Sequence, residues 1–212
     1  MSIPAENPAA YAPAQTALLL LDYHNLLVDM IQPQDTKEKL CGHVQKLVQT
    51  ARASGSPIVH ALVSFAEEPL ARSKLRSYFE KNYKPLLASS PQSCLELEVL
   101  TDCPASESHE IIVTKTPGCI SALKTPKLLK FLKEEHGVES LIICGLITSG
   151  AVLSTARESA DLGFATTVVK DGCWDLSTEA HDVVLGEVLP MTAWVVNTEA
   201  AVKLLNGKSK AL

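Results

Sequence analysis

Three places in this 212-residue sequence carry groups that could do chemistry. Asp22 closes an apolar run in LLLLDYHN, and Lys115 closes another in EIIVTKTPG. A third run, LIICGLITSGAV, passes through Gly145 and Gly150 to Ala151 and enters a helix with small residues on one face. A carboxylate at a strand end can take or give a proton. An ammonium can hold a substrate carboxylate or depress a neighbouring thiol's pKa. A helix N-terminus offers backbone N–H groups to a developing oxyanion. Each feature also has an ordinary use. A strand-end Asp caps loops, a lysine is usually solvated, and Val152, Thr155, Ala156, Ser159 and Ala160 form a face small enough to pack closely on a sheet.

The chemistry needs a fold that gathers these strand ends. Apolar runs at 16–21, 57–63, 111–114, 140–144, 164–169 and 193–196 are expected as strands. Helical spacing occurs at 36–53, 71–83, 126–136, 151–162, 181–188 and 198–205, with Gly55, Gly137 and Gly163 as stops. Strands alternating with helices predict an α/β fold, a parallel sheet covered on both faces. Ligands of such sheets bind beyond the carboxyl ends of the strands, where Asp22, Lys115 and the 145–151 turn all fall. Residues 87–109 lack clear periodicity. Their Leu95, Leu97, Val99 and Leu100 need cover, so a lid or a subunit contact is expected there.

The length suits one domain over residues 1–212, with 1–14 as a mobile N-terminal arm rich in Pro and Ala. A net charge of −5 gives no basic footprint for nucleic acid and no polybasic membrane patch. No apolar run is long enough to span a bilayer, and the leader lacks a signal peptide's pattern, so a cytoplasmic location is expected. Six scattered cysteines without a CxxC pair argue against zinc and for free thiols.

The chain resembles the isochorismatase-like cysteine hydrolases over roughly residues 15–200. The resemblance rests on Asp22-Tyr23-His24-Asn25, on Lys115 with Ser121-Ala122, and on Gly145, Thr148, Thr155, Ala156, Leu162, Gly163 and Phe164. It implies a three-layer αβα sandwich around a six-stranded, mostly parallel sheet. It also implies a catalytic Asp22 and Lys115, a nucleophile position at 151, and a cis peptide at Leu146–Ile147 that shapes an oxyanion hole. His24, Leu146, Ile147, Gly150, Cys119 and Trp174 are the implied substrate contacts. Family members commonly associate, so a homodimer or homotetramer is expected.

Two departures matter. The family's cysteine is replaced by Ala151, which cannot attack anything. Either the residue is native, as in members that hydrolyse a vinyl ether with an acid and no covalent intermediate, or it is a Cys→Ala change made to trap substrate. With Cys the scissile bond would be an amide or imide; with Ala, a vinyl ether with Asp22 as general acid. A non-catalytic binding or scaffold role on the same fold is the third reading. Second, the Asp-x-His metal arrangement of nicotinamidase-type members is absent: HALVSFAEEP offers His60 alone, so neither metal nor cofactor is expected. Ser149 lacks the flanking glycines of a nucleophile elbow. Cys119 lacks a paired base, Cys173 and Trp174 could form a pocket wall, and His181 reads as structural or exposed.

Overall fold

Leu18, Leu19, Leu20 and Leu21 are all fully buried. Successive side chains of a strand point to opposite faces, so such a run requires cover on both. The computed structural model describes residues 3–101 and 109–208. In it, β1 (Thr16–Leu21) lies between β2 (Ile58–Val63) and β4 (Ser140–Leu146). Outside these run β3 (Glu110–Lys115), β5 (Ala165–Trp174) and β6 (Trp194–Val196), giving a six-stranded sheet of order β3-β2-β1-β4-β5-β6. Every pairing is parallel.

A single turn, α1 (Asn25–Val28), follows β1, and α2 (Gln34–Ser54) is the long crossover helix. It buries Leu40, Val44, Leu47, Val48 and Ala51 along one stripe and ends at Gly55, whose φ of 72° suits glycine. After β2 come α3 (Leu75–Tyr78), a wide helical stretch at Phe79–Tyr83, α4 (Lys84–Ser89) and α5 (Glu98–Thr101). After β3 comes α6 (Pro126–Leu129), and the later crossovers carry α7 (Leu153–Asp161) and α8 (Thr178–Val183); α9 (Thr198–Leu205) is last. Parallel crossovers are right-handed. Moving from β1 to β2 and from β4 to β5 in opposite directions therefore puts α2 and α7 on opposite faces. Packing agrees, since α2 and α9 meet each other and β5, while α7 meets β5 and the turn at Ala122–Lys124.

Several expectations change. Part of residues 87–101 packs on its own domain, while Leu95 stays exposed. Leu97 N–H bonds Tyr23 O, Asn25 N–H bonds Leu95 O, Leu100 is fully buried and Leu97 and Val99 pack on the core. Short helical turns too brief for periodicity hid this packing. Residues 102–108, with Cys103, lie outside the described residues. Part of the arm packs on the domain: Asn7 and Pro8 are buried, and Trp194 Nε1 donates to Glu6 O at 3.1 Å. Strand β5 runs past the expected end because Lys170 and Asp171 interrupt its apolar pattern without interrupting its path. The five described cysteines are free thiols. Among the described residues no helix is long and apolar enough to cross a membrane.

Candidate active site

The sheet order reverses between β1 and β4, and such a switch point opens a crevice at the carboxyl ends of the two strands. Leu21, the last residue of β1, pairs with Gly145. The approach is so close that a Cβ on Gly145 would lie 2.5 Å from both the Cβ and the carbonyl oxygen of Leu21. Only glycine fits, which gives the first Gly of the 145–151 segment its physical reason. One residue beyond Leu21, Asp22 turns the chain with φ of 56°, a left-handed conformation that Asp tolerates better than most residues. Asp22 N–H bonds Ala61 O at 3.0 Å, and its Oδ1 accepts Val63 N–H at 2.8 Å.

Lys115 is the last residue of β3, two strands away, paired with Val63. Its Nζ reaches Asp22 Oδ2 at 2.5 Å, and Ile120 O lies 3.5 Å away. Both side chains are buried. Removing either partner would strand a charge, and such losses are costly.

His24 packs against this pair. Its Nδ1 lies 2.8 Å from Cys94 O, and its Nε2 has no hydrogen-bond partner and lies 3.9 Å from Asp22 Oδ1. Burial lowers the imidazole pKa from its ordinary value, with Asp22, the Cys94 carbonyl and Glu96 pulling it back. Phe65 sits edge-on over the ring at 4.9 Å and joins Phe79 and Tyr83 in an aromatic cluster. Burial raises the Tyr83 phenol, with Tyr78 and Asp22 adding to the effect. Sequence reasoning missed these aromatics, because their spacing between 65 and 83 matches no single helix face.

The turn after β4 contains a cis Leu146–Ile147 peptide. Helical structure starts at Thr148, earlier than the spacing suggested. Ala151 is buried at its head. Asp175 fixes the turn from outside: its Oδ2 accepts Ser149 N–H at 2.7 Å and its Oδ1 accepts Ser177 N–H at 3.1 Å. Thr148 Oγ1 lies 2.8 Å from His181 Nδ1, so His181 braces the same turn. Thr155 Oγ1 accepts Ala122 N–H at 3.1 Å, tying the chain after Lys115 to α7. The Asp-x-Ser order at 175–177 was a readable turn signal for Asp175.

Cys119 is half-buried, with Sγ 3.8 Å from Ser121 O. Trp174 pairs with Leu146 along the sheet. With Cys173, Asp175 and His181 it lines a cavity of about 380 Å³ whose walls do not include Asp22, His24 or Lys115. Burial pushes the Cys173 thiol well above its usual range, so it is a poor nucleophile. His60 has both ring nitrogens engaged, by Glu96 at 2.7 Å and Glu110 at 2.9 Å.

The model of the isochorismatase domain matches residues 16–200. An uncharacterized isochorismatase family protein, YecD of Escherichia coli O157:H7, is 25% identical over 194 residues, covering 90% of this chain and 96% of its own. A solved isochorismatase family protein from Burkholderia thailandensis superposes with a TM-score of 0.73 at 20% identity, covering 96% of this chain and 99% of that one. The ycaC gene product of Escherichia coli, described as an octameric hydrolase of unknown specificity, superposes with a TM-score of 0.62 at 17% identity, covering 91% and 80%.

Proposed function

The chain belongs to the isochorismatase family, and we propose that it hydrolyses a small organic molecule with water, not a protein thiol, as the nucleophile. The observation that carries this reading is the buried 2.5 Å contact of Asp22 with Lys115 beside a turn whose nucleophile position holds Ala151. Both Asp22 oxygens accept hydrogen bonds, one from Val63 N–H and one from Lys115. A carboxylate held that way acts as a proton acceptor and as a charge that stabilises a nearby protonated group. The scissile group on this reading is an acyl C–N bond, with Leu146, Ile147 and Gly150 lining the oxygen side and His24 and Cys119 the substrate side.

The same contact supports a second reading. Lys115 carries a proton that Asp22 can relay to a vinylic carbon. Water adds to the resulting oxocarbenium ion and returns a proton to the Asp22–Lys115 pair. The hemiketal then breaks its C–O bond to release an alcohol and a carbonyl compound, which is vinyl-ether cleavage with Asp22 as the acid. A panel of amides, imides and vinyl ethers, isochorismate among them, separates the two. Turnover that collapses in Asp22→Asn and Lys115→Met, with no covalent adduct by mass spectrometry, is the expected result. Undiminished turnover in Asp22→Asn would overturn the assigned role of Asp22, and no turnover on any panel member with the unaltered protein would overturn the reading in favour of a binding role. Assembly as a homodimer or homotetramer is part of the proposal, checked by light scattering; a monomer at micromolar concentration removes it.

A further inference from the structure

We infer that His24 and Asp22 together seat and activate the attacking water, taking over the role that Ala151 leaves empty; the inference rests on the hydrolase reading above. His24 is 1% exposed, so its polar atoms must find partners inside the protein. The Cys94 carbonyl, 2.8 Å from Nδ1, can only accept. The proton therefore sits on Nδ1, and Nε2 presents a lone pair. Facing it at 3.9 Å is Asp22 Oδ1, which is also an acceptor. Two acceptors cannot bond each other, and the gap is too long for a direct hydrogen bond. One water donating a hydrogen to each satisfies both and removes the cost of a buried unpaired nitrogen.

Such a water points its lone pairs away from His24 and Asp22, which is the orientation an attacking nucleophile needs. Its seat is stiff: Val63 N–H and Lys115 hold the carboxylate, while the Cys94 carbonyl and Phe65 hold the imidazole. The charged and titratable groups around His24 are Asp22 from the end of β1, Lys115 from β3 and Glu96 from the segment antiparallel to it. As the water oxygen bonds the acyl carbon, one O–H bond breaks and its proton goes to Nε2, while the carbonyl π pair moves onto oxygen. When the intermediate collapses, the C–N bond breaks and the leaving nitrogen takes the proton from Nε2. One water is consumed, acid and amine are released, and the imidazole is restored. Asp22 stabilises the transient imidazolium.

The test begins with the intact protein without substrate. A high-resolution structure is expected to show a water within about 3 Å of both His24 Nε2 and Asp22 Oδ1. Nitrogen-15 NMR of histidine-labelled protein is expected to show the neutral Nδ1–H tautomer for His24 at pH 7. A dry gap, or a proton on Nε2, overturns the inference whatever the activity. With any panel substrate that turns over, His24→Gln is expected to lower kcat by about 100-fold or more, change KM little, and abolish the acid limb of the pH–rate profile. A folded His24→Gln or His24→Asn protein with unchanged kcat and an intact acid limb overturns the catalytic role. If the water and tautomer are found but the unaltered protein turns over nothing, the hydrolase reading fails and the water seat stands.

Discussion

Two buried histidines, His24 beyond the carboxyl end of β1 and His60 within β2, each sit among carboxylates, and they are built in opposite ways. His60 is saturated. Glu96 and Glu110 take its two nitrogens, and Arg52 closes the cluster with Nε at 3.0 Å and Nη2 at 2.7 Å from Glu110. Two cations face two anions. Burial alone would lower the His60 pKa, but the bonds to Glu110 and Glu96 overcome it and raise it to about 9. Burial would raise Glu110, but His60 and Arg52 bring it to about 2. His24 is left open: one nitrogen is bonded, the other faces a carboxylate across a gap, and burial wins, lowering its pKa. The contrast lies in the two imidazoles, not in whole networks, because Glu96 Oε2 beside His60 is also buried without a partner; a buried ring nitrogen without a partner is a candidate place for a ligand or a reaction. The two clusters share one segment, since the Glu96 side chain binds His60 while its backbone pairs with His24.

The comparison predicts that damage to one cluster is read in rate and damage to the other in stability. The largest effect is expected for Asp22→Asn, a fall in kcat/KM of about 10²–10⁴-fold, measured on whichever panel substrate turns over. A rate close to the unaltered protein's would place Asp22 with the structural group. Next, His60→Ala leaves Glu96 without its cation and Glu110 with Arg52 alone, and a loss of about 3–5 kcal/mol is expected by denaturant titration. Activity per folded molecule should persist. A stability change under 1 kcal/mol, or a collapse of kcat at unchanged stability, would erase the distinction.

The pH dependence of stability is a smaller effect with a definite sign. The folded pKa of His60 is raised from 6.5 to about 9, so its contribution is complete below 6.5 and is lost as pH rises through about 9. That of Glu110 is lowered from 4.5 to about 2, so its contribution is complete above 4.5 and is lost as pH falls toward 2. Thermal melts between pH 6.5 and 9 should show a decline that is absent in His60→Ala; the same slope in both proteins counts against the assignment. The smallest effect expected is a gain. Ala151→Cys puts sulfur in the first helical turn after β4, and a thiol at a helix N-terminus becomes more acidic and reactive. Selective alkylation of residue 151 by iodoacetamide near neutral pH, with faster amide turnover, is the expected outcome. An inert thiol there would mean that the turn no longer supports thiol chemistry.

Much of the fold was written in local pattern. The leucine run of β1 demands cover on both faces, the stripe of α2 ends at a glycine that only a left-handed cap requires, and alternation of the two kinds of element leaves a parallel sheet as the consistent arrangement. Asp22, Lys115 and Ala151 could be picked out because each follows an apolar run, and strand ends are where such sheets do chemistry. Pattern failed where elements are short or polar: the turns that bury Leu97 and Leu100, the far half of β5, and the arm held by Trp194. Strand order was decided only in three dimensions. It places the switch point between β1 and β4 and lets Lys115 reach Asp22 across the end of β2. The contrast between His24 and His60 was likewise invisible in sequence. Whether a buried nitrogen is satisfied depends on partners 36 to 70 residues away, and only the packed structure sets those distances.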